Sequence, residues 1–113
     1  MKTNFKCQIG KQIIIKSEKQ ETNIDMSNVA YIMDENFLTI FHMLDLKCIP
    51  VSKSFKDFEH ELSEFGFLKV NHSTLVNINH VKEFFLGNKR IIMLINGIKL
   101  KVSRRRVYLF RDN

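Results

Sequence analysis

Apolar and polar positions alternate from the first segment of the chain, where Phe5, Cys7 and Ile9 fall on one side of an extended backbone. Runs rich in β-branched and aromatic residues follow at QIIIK, NVAYIM, FLTIFHML and KCIPVS, each of strand length. The first half is therefore predicted to be mostly sheet. Two hairpins are predicted in the second half. EFFLGNKRIIM turns at Gly87 and Asn88, and IIMLINGIKLKVS turns at Asn96-Gly97, a pair that a type I′ turn favours. Beyond that turn Ile98, Leu100 and Val102 face one way and Lys99, Lys101 and Ser103 the other, so one face of this sheet is buried and one is basic.

The period changes once, in SFKDFEHELSEFG. Phe55, Phe58, Leu62 and Phe65 share a stripe, Ser54 followed by Asp57 has capping-box spacing, and Gly66 is a stop signal. These predict an amphipathic helix over about 55–65 that braces the sheet, with Lys56, Glu59, Glu61 and Glu64 turned to solvent and His60 on the polar side. A second short helix or turn is expected from Ser103, docking Val107, Leu109 and Phe110 while its arginines stay outside.

LKVNHSTLVNINH fits neither pattern. Val70, Leu75, Val76 and Ile78 stand among three asparagines, two histidines, a serine and a threonine, too polar for a core and too aliphatic for a linker. So many uncharged hydrogen-bonding groups in one stretch imply a surface that meets a polar partner. Ser73 and Asn77 also fit a second role, satisfying nearby backbone groups, and His80, at the start of the next strand, is read as structural.

Charge sharpens the picture. The 113 residues carry a net +6, and residues 87–113 hold eight Lys/Arg against one acid, a net of +7 on a body of 86 residues that carries −1. A basic end on a near-neutral body suits a polyanion, or simply a solvated surface. The length suits one domain over 1–113 with one modest core. No apolar run approaches the roughly 18 residues of a membrane helix, and no signal-type segment follows the basic start, so a cytoplasmic location is expected. Cys7 and Cys48 are read as buried thiols.

Catalytic chemistry is not legible. Gly10, Gly66, Gly87 and Gly97 form no phosphate-binding motif, and His42, His60, His72 and His80 have no zinc-type spacing with the cysteines. Ser73 adjoins His72, but neighbours on an extended chain point apart, and no carboxylate is placed to orient the imidazole. No enzyme activity, cofactor or metal site is expected.

Taken together, FGFLKVNHSTLVNINHVKEF, the hairpin through INGIKLKVS and the closing SRRRVYLF resemble the LytTR family of bacterial DNA-binding domains. MSNVAYIMDENFLTIFHM matches that family's aromatic strand pair, so the likeness spans nearly the whole chain. The resemblance implies a mainly β fold of antiparallel sheets with one short helix. It further implies the output domain of a two-component response regulator that binds promoter direct repeats and inserts loops into successive major grooves. Because the chain opens at the family's first strand, a regulator without its own receiver domain, or the detached output domain of a longer one, is expected.

Residue by residue, the resemblance places base reading on His72 beside Asn71 and Ser73, and on Arg105 near the carboxyl end. A third contact loop comprises Asn36, Phe37, Leu38 and Thr39, and Lys69 joins the contact set. Arg104 and Arg106, splayed to either side of Arg105, suit phosphates, and Lys99 and Lys101 either extend that stripe or keep an exposed strand soluble. Many relatives carry His-Arg-Ser or His-Lys-Ser where this chain has Asn71-His72-Ser73, so a fixed positive charge is lost and the preferred sequence should differ. Leu38 replaces a residue that is polar in some relatives, which exchanges hydrogen bonding for contact with a thymine methyl or for none. The implied partner is double-stranded DNA, bound by one copy or a homodimer. A LytTR-like protein-interaction module acting on another regulator or a membrane partner is the alternative.

Overall fold

The computed structural model describes residues 3–5, 12–16, 21–35, 37–87 and 89–110, with side chains from residue 23 onward. Cys7, Ile9, the contact position Asn36 and the turn residue Asn88 lie outside the described residues. β1 (Thr3–Phe5), β2 (Gln12–Lys16) and β3 (Glu21–Asp25) form a three-stranded sheet in that order. β4 (Val29–Glu35), β5 (Leu38–Met43), β6 (Cys48–Val51), β7 (Phe67–Asn71) and β8 (Thr74–Asn77) form the central sheet, ordered β6-β5-β4-β8-β7. β9 (Val81–Phe85), β10 (Ile91–Leu94) and β11 (Lys99–Lys101) form the third, with β10 in the middle. Every strand pairing among the described residues is antiparallel.

The central sheet is covered on both faces, which explains the odd composition of its strands. Ile32, Phe41 and Leu75 pack toward the helix with Phe55, Phe58 and Leu62, while Ala30, Val70 and Val76 pack toward Ile92, Leu94, Val102 and Val107. Each fully buried large apolar side chain contributes roughly 1.5–3 kcal/mol. A strand buried on both faces shows no polar-out alternation. In β8 all four residues, Thr74 to Asn77, are buried. This corrects the reading of the 68–80 stretch as too polar for a core, and Asn77 takes the second role open to it, satisfying backbone groups. Asn77 lies in the core, where its Nδ2 donates to Val29 O and Met26 O at 3.1 and 3.4 Å.

The expected helix forms as α1 (Phe55–Leu62) followed by a 3-10 turn, Ser63–Phe65. Ser54 Oγ accepts from the backbone N–H groups of Lys56 and Asp57, and Gly66 ends the segment at φ 85°. Phe58 meets Phe41 edge-on at 5.0 Å. Two helix carboxylates expected in solvent are instead engaged: Glu61 holds Lys53 at 2.7 Å, and Glu59 lies 3.5 Å from Lys69.

The Asn96-Gly97 turn forms, but not as type I′, since Gly97 has positive φ and Asn96 does not. Leu94 N–H donates to Ile98 O and Gly97 N–H to Leu94 O, which makes a three-residue loop with glycine in the left-handed position. The β5–β6 turn repeats this pattern, Met43 with Lys47 and Leu46 with Met43, and there Leu46 holds the left-handed position at φ 76°. Asn96 and Asp45 each accept from the backbone N–H two residues on, the side-chain bond that stabilises both loops. The segment after Ser103 is a 3-10 helix, Arg104–Leu109, that buries Val107 and sets Phe110 5.5 Å from Phe84.

Candidate nucleic-acid interface

Three segments of the expected contact set meet along one edge of the central sheet. The first is the β7–β8 turn. Asn71 pairs with Thr74 across it, leaving His72 and Ser73 at its tip. Asn71 Oδ1 accepts from the Ser73 backbone N–H and hydroxyl at 3.0 and 3.3 Å, so this side chain builds the turn from inside. Of the triplet Asn71-His72-Ser73, only His72 is exposed.

The second segment is the arginine turn. Val70 is the extra residue of a bulge in β7, and its carbonyl, freed from regular pairing with β8, accepts from Ser103 N–H at 2.8 Å. Asn71 Nδ2 donates to Lys101 O, also at 2.8 Å. These two bonds fix the start of the 3-10 helix beside the His72 turn. Arg104 and Arg105 are exposed and Arg106 half-buried, and none of the three guanidinium groups has a partner among the described residues. Lys99 and Lys101 project from the outer face of β11, as their alternation with Leu100 requires. The result is a row of cations starting beside His72.

The third segment is the β4–β5 turn. Glu35 pairs with Leu38, so the loop has two residues, and Phe37 is at its tip with φ 69°. Asp34 N–H donates to Ser73 O at 2.9 Å, which ties this hairpin to the His72 turn from the other side. Phe37 and His72 line one open cleft of about 360 Å³ with Asp34, Lys56, Glu59 and Lys69. The edge thus has His72 at its middle, cations on one flank and an apolar hairpin tip on the other.

Not every expected contact residue faces outward. Thr39 is 1% exposed and its hydroxyl donates to Lys53 O at 2.7 Å. It lies two residues before Phe41, on the core face of β5, and this removes it from direct contact. Lys69 is half-buried and paired with Glu59, so its charge is partly neutralised within the molecule. Ser73 is held by Asn71 and Asp34 and shapes the turn. Leu38 is 41% exposed beside Phe37.

A cluster with no sequence signal spans the same hairpin and the neighbouring strand β6. Cys48 is exposed, contrary to the expected buried thiol, because β6 is the outermost strand of its sheet. Its Sγ lies 3.5 Å from His42 Nδ1, and His42 Nε2 lies 3.0 Å from Glu35 Oε2. Tyr31 stacks flat on His42 at 4.3 Å. Burial, then the nearby Cys48 and Glu35, raise the Tyr31 phenol above its ordinary 10.0. These groups sit side by side because β5 pairs Tyr31 with His42 and His42 with Cys48. Their local effect is to anchor the base of the hairpin that carries Phe37. Among the described residues no His, Cys, Asp and Glu side chains are grouped to hold a metal ion.

Comparison with known proteins matches this architecture. A family model described as LytTr DNA-binding domain covers residues 6–113. Among solved structures, the chain is similar to the LytTr DNA-binding domain of a protein described as a methyl-accepting/DNA response regulator from Bacillus cereus. The two share 22% identity over 88% of this chain and 93% of that one, with a TM-score of 0.73. No curated protein matches the chain.

Proposed function

Since this chain belongs to the LytTR family of DNA-binding domains, we propose that it is a transcription regulator that binds promoter direct repeats in a sequence-specific way, its loops entering successive major grooves. It works by binding and not by catalysis, as a single domain in the cytoplasm. The observation that carries this reading is the pair of hydrogen bonds, Asn71 Nδ2 to Lys101 O and Ser103 N–H to Val70 O, that joins an exposed imidazole to a row of unpaired cations. Phosphates are held by Lys101, Arg104 and Arg106, which fix register on the duplex, while His72 and Arg105 reach base edges. Selection of bound duplexes from a random pool, followed by sequencing, tests this: a repeated motif with half-sites about one helical turn apart is expected, and recovery of unselected sequence would overturn it.

A second reading, contact with a regulator or membrane partner, is favoured by one observation. Phe85 and Leu86, at the end of β9, are exposed, and Phe85 lines a shallow cleft with Ile91, Lys89 and Lys99. Isolated apolar residues on a surface are ordinary, so this reading ranks below DNA binding.

A further inference from the structure

Phe37 is 102% exposed, and its φ of 69° lies in the left-handed region that glycine, asparagine and aspartate usually fill at hairpin tips. A bulky side chain gains nothing locally from this position. It bears backbone strain and full hydration of an aromatic ring together. Strained positions persist where the surroundings enforce them, and they concentrate at binding sites. Here the two-residue turn between Glu35 and Leu38 enforces the backbone, and the Asp34–Ser73 hydrogen bond holds the tip on the same edge as His72. Leu38 extends the apolar surface on the neighbouring position.

An apolar tip beside a histidine and a row of cations needs a partner that presents apolar groups next to phosphates. In the major groove of double-stranded DNA that group is the 5-methyl of thymine, which marks a T·A pair for an apolar side chain. We propose that Phe37, supported by Leu38, is a specificity determinant that reads one thymine through its 5-methyl group. The assignment rests on the DNA-binding reading and adds an apolar contact to the polar and charged ones described above. A methyl contact carries no charge, so it changes sequence preference without changing the number of counterions released.

The test uses the duplex recovered by selection, with its thymines replaced one at a time by deoxyuridine, which removes only the methyl group. The wild-type chain should bind one substituted duplex about fourfold more weakly, the value of one buried apolar carbon. Phe37→Ala and Phe37→Asn should bind that duplex and its thymine parent equally, with the wild-type salt dependence. Phe37→Asn, which suits the left-handed position, should melt no lower than wild type and so separates loss of the ring from loss of the fold. A wild-type chain that binds DNA but is indifferent to every substitution overturns the assignment and leaves DNA binding standing. So does a Phe37→Ala chain that keeps the thymine preference, the pattern of a ring wedged between base pairs or of no ring contact. A wild-type chain that binds no duplex removes both.

Discussion

Asn71 Nδ2 donates to Lys101 O at 2.8 Å, a bond between residues 30 apart in sequence that joins the histidine turn to the strand leading into the arginines. The same side chain closes the turn through its Oδ1. Asn71→Asp keeps an acceptor for the Ser73 groups but sets an oxygen against Lys101 O. It should cost about 1–2 kcal/mol in urea unfolding, and Asn71→Ala, which loses both roles, at least as much. An unchanged urea midpoint for Asn71→Asp would show that the two segments hold their places without this bond.

Asn77 is 3% exposed and its amide bridges Val29 O and Met26 O on the neighbouring chain segment, while its Oδ1 accepts from Asn79 N–H. Asn77→Ala takes the side-chain donor from Val29 O and from Met26 O, the latter still held by Val29 N–H, and should lower stability by about 1–3 kcal/mol. Affinity for DNA, measured below the melting transition, should stay within about twofold of wild type, as Asn77 lies inside the sheet. A large affinity loss in a chain of undiminished stability would place Asn77 at the interface.

The sequence pattern revealed the helix because its signals agree: a Ser54 cap, an apolar stripe and Gly66 in the left-handed position. The strand β3 carries no pattern of its own because, in ETNID, Ile24 is the lone apolar residue, and pairing with the apolar β2 decides its state. Thr39 enters the contact set only through the resemblance, which takes in the whole 36–39 loop, whereas its spacing from Phe41 puts it on the core face. Asn77 is likewise in phase with Leu75, yet a polar residue two-faced burial draws inside looks like a surface residue until its carbonyl partners are known. The meeting of Asn71 with Lys101 and of Cys48 with His42 depends on strand register, which single-sequence periodicity does not set.

Tyr31 supplies a pH dependence. Its phenol is raised above 10.0 by burial and by the adjacent Cys48 and Glu35, so the folded chain holds this proton more tightly than the unfolded one. The stabilisation is fully present below pH 10 and is lost as the pH rises through the folded value. Above pH 10 the wild-type chain should therefore lose urea stability faster than Tyr31→Phe, with the lysines, common to both, cancelling. Parallel curves for the two chains would show that the burial of Tyr31 has no linkage to folding.

Arg105 separates charge from geometry. A guanidinium donates two parallel hydrogen bonds to guanine O6 and N7, and lysine offers the charge without the fork. Arg105→Lys should keep most affinity for random DNA but lose roughly 1–3 kcal/mol of discrimination at one base pair. Arg104→Lys and Arg106→Lys should change little, since phosphate accepts either cation, and His72→Ala should weaken the preferred site more than random DNA. Competition titrations of selected against random duplex check all four, and a larger loss at Arg104 or Arg106 would shift base reading to that neighbour.

The most direct measurement is the salt dependence of duplex binding by the wild-type chain, followed by fluorescence anisotropy. With four to six phosphates neutralised by Lys101, the arginine turn and their neighbours, log affinity should fall against log salt with a slope of about −4 to −5. Lys101→Ala and Arg104→Ala should each reduce that slope by about one. A slope near zero, or one that neither substitution changes, would contradict binding of DNA by this edge.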